Sequence, residues 1–176
     1  MKVDLFNEGV KTRLILSGIQ EIEAHGIKDF SLRRVALLAE VSCAAPYRHF
    51  KDKDELIVEI IKYIGSRWDL LFTEIKKVYS NDLKSLIKNS CLAYIRFWTG
   101  NTNFRTILLS SPSASTYIGF DKELETLLDT YYNHAKFAKT RFFSVRSMIY
   151  GAVLLSGFED TGEIISGLEN ALDKEI

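Results

Sequence analysis

The sequence predicts an all-α protein, and three observations carry that expectation. Apolar residues recur at helical spacing along nearly the whole chain. The period-two alternation of β-branched residues that marks half-buried strands is absent. Only two prolines occur, Pro46 and Pro112, so little interrupts long helices. With 176 residues, 47% of them hydrophobic, the chain can bury a sizeable core. That length fits one ordinary domain, or a small module joined to a larger one.

The elements follow in order. Val10, Leu14, Ile15, Ile19 and Ile22 share one face of a first helix, expected over roughly 7–25 and stopped near Gly26. Ser31 is placed to cap a helix from Leu32 to Ala39, its hydroxyl taking an orphan backbone N–H. Ser42 is placed to cap another from Cys43 to Phe50, with only Glu40 and Val41 between the two. Pro46 then falls in a first turn, where a missing N–H is tolerated. Asp52 with Glu55 three residues on makes a D-x-x-E version of the capping box. It opens a long helix from about Lys53 to Tyr79, with Leu56, Ile60, Tyr63, Ile64, Leu71 and Ile75 available for packing.

Asp82 caps a helix expected to reach about Thr99, and Gly100, Asn101 and Asn103 break the pattern. A short helix near 103–110 leads into the loop Ser110-Ser111-Pro112-Ser113. Two more helices are expected over about 121–139 and 141–156, the second carrying Val145, Met148, Ile149, Ala152 and Leu155. After Gly157, Asp160 and Thr161 offer caps for a last helix to about Asp173. The total is roughly nine helices. There is no linker, internal repeat or low-complexity tract. A division into residues 1–52 and 53–176 leaves the long helix from Lys53 shared, so tilting the second part tilts the first.

Two short helices with a tight turn between them form a helix-turn-helix. Arg33, Arg34, Arg48, Lys51 and Lys53 are spread across the unit. In such a unit the second helix enters the major groove with its early residues facing base edges. Here Cys43, Ala44 and Ala45 are small, allow close approach and can touch thymine methyl groups. Arg48 can hold a guanine by O6 and N7.

The residues Val35-Ala36, then Ala39-Glu40-Val41-Ser42, then Tyr47-Arg48-His49-Phe50-Lys51-Asp52-Lys53 resemble the N-terminal signature of the tetracycline-repressor (TetR) family of bacterial transcriptional regulators. The resemblance runs from about Thr12 to Ile57, and the remainder matches only in length and helical character. Glu40 departs from it, standing where the family usually has Gly. A left-handed conformation there costs Glu on the order of 1 kcal/mol.

The resemblance implies three helices for DNA and a bundle that binds a small effector and dimerises through its last two long helices. It also implies that Tyr47 and His49 contact or position phosphates, that Lys53 binds phosphate, and that Ser31 and Arg33 approach the backbone. With Ser42, Cys43, Ala44, Ala45 and Arg48 these make the expected DNA-binding set. Plainer roles stand beside these: Arg48 and Lys53 as solvated charges, His49 as a join between helices, Tyr47 with its ring packed inside. Val35, Ala36, Val41 and Phe50 read as core.

Charge agrees with a local DNA contact. The chain is neutral overall, with 23 basic and 23 acidic residues. Yet residues 28–53 hold six basic groups against three acidic ones, and 159–176 hold six acidic groups against Lys174 alone. Cys43 and Cys91 have no metal spacing and are expected to be free thiols in a reducing cytoplasm. No signal peptide and no apolar run near about 18 residues is present, so a soluble intracellular protein is expected.

Phosphate-loop, His-Glu-x-x-His, Gly-x-Ser-x-Gly and Cys-x-x-Cys motifs are all missing. No enzyme, cofactor or metal is therefore expected.

Phe72, Tyr94, Phe97, Trp98, Phe104, Tyr117, Phe120, Tyr131, Tyr132, Phe137, Phe142 and Tyr150 supply either a pocket lining or plain core. Arg96, Arg105 and His134 are candidates to face a polar effector. Gly151 and Gly167 permit close helix contact in a homodimer. Two-fold symmetry would then set two recognition helices about 34 Å apart on a palindromic double-stranded operator. The expected function is a ligand-responsive DNA-binding regulator, a repressor. The alternatives are a regulator controlled by a protein partner, and a helical interaction or adaptor module that has lost DNA binding through Glu40.

Overall fold

The computed structural model describes residues 9–100, 107 and 120–176. These form α1 (Val10–His25), α2 (Leu32–Leu38), α3 (Pro46–His49), α4 (Lys53–Val78), α5 (Leu83–Thr99), α6 (Phe120–Tyr131), α7 (Ala138–Leu155) and α8 (Thr161–Glu175). No strand occurs among the described residues. The helix expected near 103–110 and the loop after it lie outside them, apart from Ile107, which is helical and buried. No described helix is long and apolar enough to cross a membrane.

Most helix starts follow the side chains that cap them. Ser31 accepts from the Arg34 N–H at 3.5 Å, Asp52 from Glu55 at 2.9 Å, Asp82 from Ser85 at 3.0 Å and Asp160 from Glu163 at 3.0 Å. Each satisfies one orphan donor of a first turn. The capping box at α4 is shifted: Glu55 accepts from the Lys51 N–H at 2.5 Å rather than from that of Asp52.

Three boundaries depart from expectation. The helix predicted over Cys43–Phe50 is shorter and begins at Pro46, and no side-chain cap holds it. Proline is the reason. Ala45 N–H reaches Ser42 O at 2.9 Å in a tight turn, but Pro46 has no N–H to continue the ladder back to Ser42. The helix predicted over 121–139 stops at Tyr131. There Asn133 takes φ 50 and His134 φ 58. His134 N–H bonds to Asp129 O and Asn133 N–H to Thr130 O, the two bonds of a Schellman stop. The next helix accordingly starts early, at Ala138.

One contiguous hydrophobic cluster runs from Leu14 in α1 through α4 to Leu172 in α8. At its α1–α4 end the helices approach closely over Gly18, where an added Cβ would lie 2.6 Å from Ile60 Cδ1. At its centre Phe120 stacks on Tyr94 at 4.5 Å and meets Trp68 edge-on at 5.0 Å. Trp68 in turn meets Tyr94 edge-on at 4.9 Å. The buried face of α4 passes through Ile60, Ile61, Ile64, Trp68 and Phe72. Leu71, expected to pack, lies on the exposed side.

Candidate nucleic-acid interface

Helices α1, α2, α3 and the first turns of α4 build a small module around Leu14, Phe30, Val35, Ala39, Phe50 and Leu56. What fixes α2 is a carboxylate absent from the sequence reading. Glu21 is fully buried. Its Oε1 accepts from Arg34 Nε at 2.7 Å and from the Ser31 N–H at 3.2 Å. Arg34 also donates to the Asp29 carbonyl. The hydrogen bond to Glu21 holds the Arg34 guanidinium above its ordinary pKa. Arg34 is therefore a clamp between α1 and α2, not a spare cation. Glu21 lies one turn from Ser17 and Gly18 on the apolar face of α1. A carboxylate at that register was the available signal.

The turn between α2 and α3 closes the same way as the end of α6. Glu40 takes φ 54. Val41 N–H bonds to Ala36 O at 3.0 Å and Glu40 N–H to Leu37 O at 3.1 Å. Glu40 thus occupies the left-handed position of a Schellman motif, where glycine is usual. The departure from the family pattern leaves the turn formed.

Beyond the turn, Ser42, Cys43 and Ala44 are exposed, while Ala45 and Pro46 face inward. Tyr47 is 65% exposed, so its ring is not packed inside. Arg48 and His49 are also exposed. The His49 and Phe50 rings lie 6.3 Å apart, and Phe50 is buried beneath Lys11, whose Nζ sits 5.8 Å above its ring. Lys53 stands half-buried at the start of α4, and Arg33 projects from α2. Among the described residues the side chains of Arg33, Arg48 and Lys53 make no hydrogen bond or ion pair. Two residues of the set are tied up structurally: Ser31 caps α2, and Ala45 is buried, which removes it from the expected contacts.

By contrast Lys11 is held by Glu59 at 2.8 Å. Hydrogen bonds from Lys11 and Lys62 keep the Glu59 carboxyl below its usual range. The Cys43 thiol is exposed and the Cys91 thiol buried, and burial pushes the latter well up in pKa. No group of three or more metal-ligating side chains occurs among the described residues.

In the bundle the aromatic residues pack mainly against one another. One polar cluster interrupts them. Arg146 Nε lies 2.9 Å from Asp121 Oδ2, and the Tyr150 hydroxyl lies 3.4 Å from both Asp121 oxygens. Burial pushes the Asp121 carboxyl up in pKa against the pull of Arg146, and pushes Tyr150 up too. The buried Tyr94 hydroxyl is raised well above its ordinary value for the same reason. Arg96 is exposed and outside this cluster. His134 pairs with Asp129 at 2.5 Å on a surface cleft of about 340 Å³. Arg105, Phe104 and Tyr117 lie outside the described residues.

These features define a helix-turn-helix module on a helical bundle, and comparisons with known proteins place that class. Residues 14–60 match the family of bacterial regulatory proteins, tetR family. A search of curated proteins gives no match. Among solved structures, the transcriptional regulator FadR from Bacillus subtilis, in complex with stearoyl-CoA, superposes with a TM-score of 0.73 at 13% identity, over 94% of this chain and 98% of that one. A TerR/AcrR-family regulator from Aquifex aeolicus gives 0.75 at 19% identity, over 96% and 100%. SCO4454, a TetR-family regulator from Streptomyces coelicolor, gives 0.75 at 15%, over 94% and 93%. Residues 14–60 thus match the tetR family, and the chain as a whole shares its fold with these transcriptional regulators. This is a family of regulators rather than of enzymes.

Proposed function

We propose that this chain is a dimeric, ligand-responsive transcriptional regulator that represses by binding a palindromic operator. The observation that carries the reading is the contrast within the module. Arg34 and Lys11 are engaged by acids, while Arg48, Arg33 and Lys53 stand unpaired around a short exposed helix. Unpaired cations around a reading helix suit phosphate positioning and base contact. In this reading Arg48 reads a base, and Tyr47, His49, Lys53, Arg33 and Ser31 position the backbone. Ser42, Cys43 and Ala44 lie against the groove. Ala45, being buried, supports that face instead of touching DNA. Residues 1–52 serve as the DNA-binding part and 53–176 as the effector and dimerisation part, with α4 carrying movement between them.

The dimer face lies on α7 and α8. Val145, Ile149, Ala152 and Val153 bury one side of α7, yet Phe143, Leu154 and Phe158 at its other side and end stay exposed. A Cβ built on Gly151 or Gly167 meets nothing within 4 Å, which leaves room for a second helix pair. Long-chain acyl-CoA is the first effector to test, because FadR from Bacillus subtilis was solved with stearoyl-CoA. An effector acts only through different affinities for two bundle geometries. The alternative, an adaptor module that has lost DNA binding, makes Glu40 the lesion; the Schellman turn forms with Glu40 in place, so such a lesion acts through its exposed carboxylate rather than through the turn.

The test is selection of bound sequences from a random DNA pool with the purified chain, beside a measurement of its mass in solution. A palindromic motif bound by a dimer is expected. A folded monomer that enriches no sequence would sink the proposal.

A further inference from the structure

The chemistry of the exposed face on and before α3 limits which bases it can read. Ala44 precedes Tyr47 and Arg48 by three and four positions, and Cys43 precedes Tyr47 by four. Side chains at that spacing share one side of a helical segment. Ala45 takes helical angles, φ −62 and ψ −43, and its N–H closes onto Ser42 O at 2.9 Å, so Cys43 and Ala44 lie in the turn that leads into α3 rather than on the helix itself. Ala45 and Pro46 point inward, and all four of Cys43, Ala44, Tyr47 and Arg48 are exposed. Only Arg48 among them carries a fork of fixed donors. Ala44 ends in a methyl group, and Cys43 is at most a weak donor.

A base edge that places an amino or carbonyl group against Ala44 loses its water and gains no partner, which is unfavourable. The C5-methyl of thymine loses nothing there and buries apolar surface. Attraction and penalty therefore select the same base. Because α3 spans a single turn, from Pro46 to His49, few other side chains can enter the groove to override that selection.

We propose that each operator half-site is read mainly through thymine methyl groups packed on Cys43 and Ala44, with Arg48 supplying one guanine contact beside them. The proposal rests on the operator-binding reading above and specifies its DNA partner as a thymine-rich half-site with a flanking guanine.

The test uses the full chain and the site it selects. Each thymine of one half-site is replaced in turn by deoxyuridine, which removes the methyl group and keeps every hydrogen-bonding atom. Affinity is then read by fluorescence anisotropy. Thymines next to the guanine should each weaken binding by about fourfold on losing the methyl, the equivalent of one buried methyl group. In Arg48→Ala the guanine preference should disappear while the uracil effect persists. In Ala44→Gly the uracil effect should vanish at one thymine only. If that variant does not fold, the DNA-side substitutions still decide. A selected site whose affinity shifts by less than about twofold with uracil at every thymine, or one with no thymine in the half-site, overturns the methyl reading while operator binding stands. A folded protein that enriches no sequence overturns the operator reading, and this proposal with it.

Discussion

The helix-turn-helix module and the bundle place their polar groups in opposite ways. In the module, Leu14, Val35, Phe50 and Leu56 fill the inside, and Arg33, Arg48 and Lys53, unpaired among the described residues, stand on α2, α3 and the start of α4. In the bundle, Tyr94, Asp121, Arg146 and Tyr150 gather at the edge of an aromatic core, and burial raises the pKa values of Tyr94, Asp121 and Tyr150. The first arrangement suits contact with a charged surface from water. The second shapes the interior, where a polar group acts only on what is packed against it. The two therefore differ in what mutation should do. Interior changes in the bundle should move stability, and exterior changes in the module should move DNA affinity alone.

The strongest way to sharpen that contrast is Trp68→Ala. Trp68 is 1% exposed and meets Phe72, Tyr94 and Phe120. Its loss should cost about 3–5 kcal/mol in urea unfolding. The base preference of whatever protein stays folded should be unchanged. A shifted motif would mean that the aromatic core sets specificity, and the division would fail.

Glu21→Ala tests the one place where the module behaves like an interior. It removes a buried carboxylate and leaves the Ser31 N–H without its side-chain partner. Arg34, half-exposed, can rehydrate, so the loss should be about 1–3 kcal/mol rather than the larger penalty of a fully buried pair. Operator affinity should fall only as far as the folded fraction does. A further loss in fully folded protein would mean that the clamp also sets the docking angle.

Arg48→Ala should do the reverse, weakening operator binding by about 1–3 kcal/mol and relaxing base preference at one position. The melting temperature should stay where it is. Unaltered operator affinity would remove Arg48 from the base readers. Lys53→Ala should weaken all sequences alike and lower the salt slope of binding by about one unit. The slope is the decisive quantity, since weaker binding at an unchanged slope would not be the loss of a phosphate contact.

Legibility divides along similar lines. Ser31, Asp52, Asp82 and Asp160 were readable as caps because a cap is a local bond within three residues. The helix-turn-helix was readable because its residue types fall at fixed spacing. The stop at Tyr131 was missed because Leu127, Tyr131 and Ala138 continue a helical apolar pattern across it, and Asn133 is a weaker stop signal than Gly. The late start of α3 was missed because Ser42 looks like a cap, and only the backbone bonds show that Pro46 interrupts the ladder. Glu21 and Arg34 stand thirteen residues apart, and no local rule pairs them. For the bundle, the aromatic supply was visible but its partition into core and polar cluster depends on long-range packing.

The smallest effect expected is the one that bears most directly on the turn. Glu40 and Asn133 occupy equivalent Schellman positions at φ 54 and φ 50. Asn tolerates that conformation better than Glu, because its short polar side chain can bond locally. Glu40→Gly relieves a strain of about 1 kcal/mol, while the added freedom of the unfolded chain takes part of it back. A net gain below about 1 kcal/mol in thermal or urea unfolding is expected, with the DNA motif unchanged. Asn133→Gly should gain less, since less strain is present there. A lower melting temperature for Glu40→Gly would mean that the Glu40 side chain stabilises the turn in a way its backbone geometry does not show. Unchanged stability with tighter binding to every sequence would point elsewhere. It would mean that an exposed carboxylate beside the reading helix repels phosphate, and that this chain limits its own affinity for DNA through the residue that departs from the family pattern.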